Sequence, residues 1–249
     1  MKQLENKVAV ITGAGSGIGA ASAKAFAAQG ASLVLFGRTE QKLQAVRDTL
    51  DSDALIVTGD AANLSDLDRL VSAAVERFTA VDVLFLNAGS APFASIQASD
   101  EALFDACFAL NVRAKFFAIQ KFLPHLRTPA SIVLTATALM HKPLPESSVW
   151  AAANAAVRSL ALSLSVDLAE RGVRCNVVSP GPTDTPIYDG YGMPAAEVAG
   201  LKQGLAAQTL AGRLAQPEEM AQVALFLAGD SSSYVTGAEI VAAGGYGLR

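Results

Sequence analysis

The chain has 249 residues, 51% of them apolar and 6% aromatic, with a formal net charge of −4. That length and make-up suit one large α/β domain with a core of Ala, Val, Leu and Ile. Lys and Arg are scattered through an acidic chain and no run reaches the ~18 uninterrupted apolar residues of a membrane span, so nucleic acid and membrane are both poor partners.

The start, "MKQLENKVAV", lacks a signal core, and a cytoplasmic protein is expected. It leads into "KVAVIT", read as a strand, and then "GIGAASAKAFAAQG", read as a helix. The same alternation continues through "SLVLFG", "EQKLQAVRDTL", "ALIVTGD", "LDRLVSAAVERF" and "VDVLFLNAG". Short β-branched runs between longer Ala- and Leu-rich segments argue βαβ units with right-handed crossovers. The strands are apolar on both faces, as a parallel sheet covered by helices on each side requires.

One long helix is then expected over "DEALFDACFALNVRAKFFAIQKFLPHL", a strand over "SIVLTA", a helix over "PESSVWAAANAAVRSLALSL" and a strand over "VRCNVVSP". The Gly- and Pro-rich stretch "GPTDTPIYDGYGMPAAEVAG" has little periodicity. It reads as a mobile lid at about residues 182–205 or as an ordinary surface excursion. A helix "PEEMAQVALFLAG" and a strand "AEIVAAGG" close the chain. No linker, low-complexity tract or repeat divides it, so residues 1–249 are read as one Rossmann-type, doubly wound domain.

Cys107 and Cys175 stand alone and read as small buried hydrophobes. His125 and His141 are the only histidines, and neither has carboxylates at ligand spacing, so no catalytic metal is expected.

The first strand runs straight into "TGAGSGIGA", from Thr12 to Ala20. Gly13, Gly15, Gly17 and Gly19, with Ser16 and Ile18 between and after them, suit a tight turn whose N–H groups approach a pyrophosphate at a helix N-terminus. The second strand ends in Gly37 and Arg38 where an NAD enzyme would place an acid. Arg38 is suited to a 2′-phosphate, which favours NADP(H) over NAD(H), although a solvated surface charge is the plain alternative. Asp60, after the third strand, is placed to bond an adenine edge or to cap the next turn.

These features together resemble the classical short-chain dehydrogenase/reductase family from end to end. The resemblance is carried by "TGAGSGIG", by "NAG" (Asn87, Ala88, Gly89), by Asn111 in "FALNVRAKFF", by "CNVVSPGPTDTP" and by "GRLAQPEEMAQVALFLAGDSSSYVTGAEI". It implies that the first motif holds the cofactor and that "NAG" stabilises the central sheet beside it, with Ala61 also at the cofactor. It implies that Pro180, Gly181, Thr183 and Thr185 flank the nicotinamide, with Asp184 and Thr185 around its carboxamide. A homotetramer or homodimer using the last helix and strand is implied too.

The family's catalysis rests on an Asn, a Ser, and a Tyr followed four positions later by Lys. Asn111 keeps the first place and Thr137 takes the Ser place, but Trp150 stands at the Tyr position and Asn154 at the Lys position. No Tyr-x-x-x-Lys occurs anywhere in the chain. An indole N–H donates a hydrogen bond but does not titrate, and a neutral Asn154 cannot tune an acid, although its amide could still bond a ribose hydroxyl. Losing a positioned general acid typically costs about 10²–10⁴ in rate.

Trp150 either fills space that a carbonyl substrate would occupy or is simply a packing residue. His141 and Glu146, in the loop before this helix, are the candidate replacement acids. Two readings follow: a cofactor-binding protein whose carbonyl reduction is lost or strongly reduced, or an NADP(H)-dependent oxidoreductase acting on C=C or imine acceptors. Non-redox isomerisation in the old pocket is a third, without specific support.

Overall fold

The computed structural model describes residues 2–248. Strands β1 (Val8–Thr12), β2 (Ser32–Gly37), β3 (Ala54–Thr58), β4 (Val81–Leu86), β5 (Leu126–Thr135), β6 (Val173–Pro180) and β7 (Glu239–Ala242) form one parallel sheet. Its order is β3-β2-β1-β4-β5-β6-β7. The helices are α1 (Gly17–Ala28), α2 (Glu40–Arg47), α3 (Leu64–Phe78), α4 (Glu101–Phe108), α5 (Ala114–Phe122), α6 (Ser148–Asp167), α7 (Ala195–Ala207) and α8 (Pro217–Ala228).

Successive strand residues feed opposite faces, which is why the strands are apolar throughout. Val8 and Val10 join a core with Leu67 and Leu70 of α3, Phe122 of α5 and Val157 of α6. Ala9 and Ile11 join a second core with Phe26 of α1, Leu43 of α2 and Leu225 of α8. Helices therefore cover both faces of one sheet, as expected of the doubly wound fold.

The chain builds outward from β1 to β3, then returns to place β4 on the other side of β1. The chain passes from β1 to α1 on one face of the sheet and from β4 towards α5 on the other, the switch point at whose carboxyl ends open α/β sheets bind ligands.

The structure corrects two expectations. The single long helix is broken: α4 ends at Phe108, a π-helical turn spans Ala109–Arg113, α5 follows, and a 3-10 turn closes at Leu123–His125. A π turn carries one extra residue per hydrogen bond, so it rotates the face that follows it. The expected loose stretch at 182–205 holds a 3-10 turn at Pro186–Tyr191 and most of α7, in which only Leu205 is buried. Among the described residues, α6 is the one helix long and apolar enough to cross a membrane, and it packs against β6 and the π turn.

Candidate active site

The Gly-rich turn is built by backbone that only glycine tolerates. Gly13 and Gly17 have φ of +68° and +51°, and a Cβ on Gly19 would sit 2.1 Å from the Gly13 carbonyl oxygen. Ala14 N–H donates to Phe36 O (3.1 Å), tying the turn to β2. Gly15 lies close to Lys42, and Ser16 is exposed. The Ser16 side chain does not cap α1, and the first turn, which includes Ile18, holds no acidic residue. The N-terminal N–H groups of α1 are thus left for an anion, with the helix dipole behind them. Thr185 closes the space above: its Cβ lies 3.2 Å from where a Gly17 Cβ would be.

The turn after β4 is stitched to the same floor. Ala88 N–H donates to Thr12 Oγ1 (3.0 Å), Asn87 Nδ2 donates to Thr12 O (3.3 Å), and Thr135 Oγ1 donates to Asn87 Oδ1 (3.2 Å). Gly89 is needed because a Cβ there would meet Asn111 Oδ1 at 2.7 Å. Asn111 sits in the π turn, accepts from Ser90 N–H (3.2 Å), and donates to Ser90 O (3.1 Å) and Cys107 O (3.0 Å). Its side chain fixes the loop leaving β4.

On the β2 side, Arg38 is exposed and makes no ion pair among the described residues. Asp60 accepts from Ala62 N–H (2.9 Å), so one carboxylate oxygen performs the turn-capping task, and Ala61 beside it is buried. On the far side, Gly181 N–H follows Pro180 and donates to Ala242 O (3.0 Å), and buried Thr183 donates to Gly181 O (2.9 Å). Asp184 is exposed and paired with Lys202 of α7 at 2.7 Å, so its carboxylate is tied to α7.

At the positions aligned with the catalytic residues, Thr137 is buried and its Oγ1 accepts from Leu139 N–H (3.3 Å). Trp150 packs edge-on against Phe93, with centroids 5.5 Å apart, and Phe93 meets Tyr191 at 5.4 Å. Tyr191 in turn meets Tyr188 at 5.9 Å. Both packing and an aromatic wall thus describe Trp150. Burial pushes the Tyr191 phenol up to about 12 and the Tyr188 phenol up as well, which makes both poor acids near neutrality. Asn154 is buried one turn below Trp150, and its Nδ2 donates to Trp150 O (2.9 Å).

The candidate replacement acids both sit in the segment between β5 and α6. His141 Nε2 is 2.8 Å from Glu239 of β7, and Arg158 holds the other oxygen of that carboxylate at 2.8 Å. His141 is thus held on the Glu239 carboxylate. Glu146 is exposed, with φ of +65°, and meets the loop after β4 through its backbone, where its carbonyl accepts from Ala94 N–H (2.9 Å). Among the described residues, no group of three or more His, Cys, Asp or Glu comes together.

One residue in this region went unnoticed in the sequence. Lys115, on the first turn of α5, is 3% exposed, and its Nζ donates to Asn111 O (3.0 Å) and Ala88 O (3.2 Å). Burial lowers its ammonium to about 8, opposed by the charge interaction with Cys107. Burial of the Cys107 thiol is the main influence on that group and pushes it up. The only cue in the sequence is that Lys115 falls four residues after Asn111 and next to Ala114, on the side that Ala118, Ile119 and Phe122 bury.

Over residues 13–247 the chain matches the family described as Enoyl-(Acyl carrier protein) reductase. It is 36% identical to the oxidoreductase asL5 of Sarocladium schorii, covering 98% of this chain and 97% of that one. It is 33% identical to the hydroxynaphthalene reductase-like protein Arp2 of Metarhizium brunneum, covering 98% and 96% of the two chains. A dehydrogenase/reductase from Sinorhizobium meliloti superposes with a TM-score of 0.91 at 30% identity, covering 98% of this chain and 96% of that one. A short chain dehydrogenase from Burkholderia cenocepacia, solved in complex with NADP, gives 0.89 at 29% identity, covering 98% and 99%. The chain belongs to the short-chain dehydrogenase/reductase family, among its oxidoreductases.

Proposed function

We propose that this protein binds a nicotinamide dinucleotide, NADP(H) in preference to NAD(H), and that its hydride transfer to simple ketones is strongly reduced. The binding half is supported by the uncapped α1 N-terminus and the side-chain-free turn of Gly13, Gly17 and Gly19. Thr12, Gly15, Ser16 and Ile18 complete that cradle, Arg38 takes the 2′-phosphate, and Asp60 with Ala61 borders the adenine. Asn87, Ala88 and Gly89 support the nicotinamide half, with Pro180, Gly181, Thr183 and Thr185 facing them. The relative solved with NADP supports the same assignment.

The single observation that carries the loss of ketone reduction is the pair Trp150 and Asn154, a non-titrating indole above an amide turned back on its own helix. The bound dinucleotide would supply the hydride. Thr137 is left to orient an acceptor oxygen, and neither Trp150 nor Asn154 can act as a tuned acid. Restoring both groups is the test. Trp150→Tyr with Asn154→Lys is expected to raise ketone reduction by about 10²–10⁴ over the natural chain. No gain in a folded, NADPH-binding double variant would remove this reading. Calorimetry is expected to show NADPH binding more tightly than NADH, with Arg38→Ser narrowing the gap; equal affinities in the natural chain would remove the role of Arg38.

A second reading, reduction of conjugated C=C bonds or of cationic imines, is favoured by the wall of Phe93, Trp150 and Tyr191. Flat conjugated acceptors stack on such rings, and a cationic imine needs no added proton and is attracted to their faces. Turnover of enones or imines by the natural chain, with none of ketones, is its signature. The 3-10 turn at Pro186–Tyr191 and α7 are assigned as a lid over this pocket, and the protein as a homo-oligomer.

A further inference from the structure

We propose that Lys115 supplies, from the floor of the site, the positive charge that position 154 lacks, and that its ammonium binds the nicotinamide-side ribose of the dinucleotide. The inference rests on the dinucleotide reading above and revises one part of it: the charge is moved rather than gone.

A lysine that is 3% exposed is unusual unless it is paired. No carboxylate pairs with it among the described residues. Its two bonds go to backbone carbonyls, Ala88 O and Asn111 O, and an ammonium has three donors. One donor is left for a group that the chain itself does not provide. Such a site carries an unrecovered burial cost, which a polar or anionic ligand atom offsets.

The place of that donor follows from the sheet. Pyrophosphate over Gly17 sits above β1, and Arg38 and Asp60 place the adenine half over β2 and β3. The other half then extends over β4 and β5. Ala88 directly follows β4 and is bonded to Thr12 at the end of β1, so a cation on Ala88 O lies under the nicotinamide half. α6, which carries Asn154, packs on the π turn that carries Asn111. The π turn and the first turn of α5 thus bring an ammonium to the neighbourhood from which α6 has withdrawn one.

The charged form is maintained at neutral pH. Burial lowers the Lys115 ammonium to about 8, and the Cys107 thiol of α4 is the titratable group that acts on it. Of the acids on the neighbouring elements, Asp66 of α3 bonds Arg69, Asp68 bonds Lys121 and Asp82 of β4 bonds Arg127, while Glu76 of α3 and Glu101 and Asp105 of α4 are exposed. α6 holds no acid before Asp167.

The test compares two ligands, NADPH and adenosine 2′,5′-bisphosphate, which lacks the nicotinamide half, by calorimetry on the natural chain, Lys115→Met, and Lys115→Met with Asn154→Lys. Loss of a charge-assisted bond is expected to weaken NADPH by about tenfold or more in Lys115→Met. The bisphosphate affinity is expected to stay unchanged, and the second substitution to recover much of the loss. In the natural chain, NADPH affinity relative to the bisphosphate is expected to fall as pH rises from 7 to 9.5, a readout that needs no variant. Equal NADPH affinity in the natural chain and Lys115→Met, equal losses for both ligands, or a flat pH profile would overturn the role of Lys115 and leave the dinucleotide reading standing. Failure of the natural chain to bind either ligand would overturn both.

Discussion

Gly19 shows how little freedom the Gly-rich turn after β1 has. A methyl group there would lie 2.1 Å from the Gly13 carbonyl oxygen, a backbone atom that cannot move without opening the turn. Gly19→Ala is therefore expected to destabilise the fold by about 1–3 kcal/mol and to weaken NADPH binding, read by thermal denaturation and calorimetry. Lys115 makes a prediction of a different kind. Its folded-state pKa, about 8, lies below the ordinary value of 10.5, so between those values the unfolded chain binds the extra proton and stability rises with pH. The stability of the natural chain relative to Lys115→Met is expected to improve from pH 8 to pH 10 in denaturant titrations. A constant difference would mean that the ammonium is not shielded as its surroundings indicate. At this scale the places of Thr137 after β5 and of Trp150 and Asn154 one turn apart on α6 were legible in the sequence, because the downstream helix and strand pin the register. Lys115 was not, because burial of one long cation depends on which way the π turn rotates α5, and that is a tertiary outcome.

Among the elements, the alternation of β-branched runs with Ala- and Leu-rich segments was enough to read the strands and most helices, since each strand must be apolar on both faces. Two local features escaped it. The π turn at Ala109–Arg113 adds a residue without interrupting an apolar pattern, so α4 and α5 read as one helix. α7 holds Gly200 and Gly204 and buries only Leu205, so it lacks the stripe by which an amphipathic helix is recognised. The break before α5 sets Asn111 against the loop after β4 and Lys115 against Ala88 O. The start of α4 is set independently by Asp100, whose carboxylate accepts from Leu103 N–H at 2.8 Å. Asp100→Ala is expected to cost about 1 kcal/mol of stability, measured in urea, without changing the ratio of NADPH to NADH affinity.

For the whole molecule, what remains exposed speaks to assembly. Phe104 and Phe116 are 46% and 40% exposed; Phe116 borders a groove between α4, α5 and α6 with Phe108, Phe117 and Leu160, and Phe104 stacks on Phe108. A second set, Phe226 of α8 at 37% and Val241 of β7 at 48%, lies along α8 and the sheet's last strand, the surface that the family resemblance implies is shared between subunits. Apolar side chains gathered on two separate layers of one fold suit two different self-complementary contacts, and two such contacts close a four-chain assembly with dihedral symmetry. Sedimentation of the natural chain is expected to give a tetramer. Phe116→Asp is expected to leave dimers held through α8 and β7, Phe226→Asp with Val241→Asp to leave dimers held through α4 and α5, and all three together to leave monomers. A tetramer that survives either change would remove that surface from the assembly, and a natural chain that sediments as a monomer would remove both.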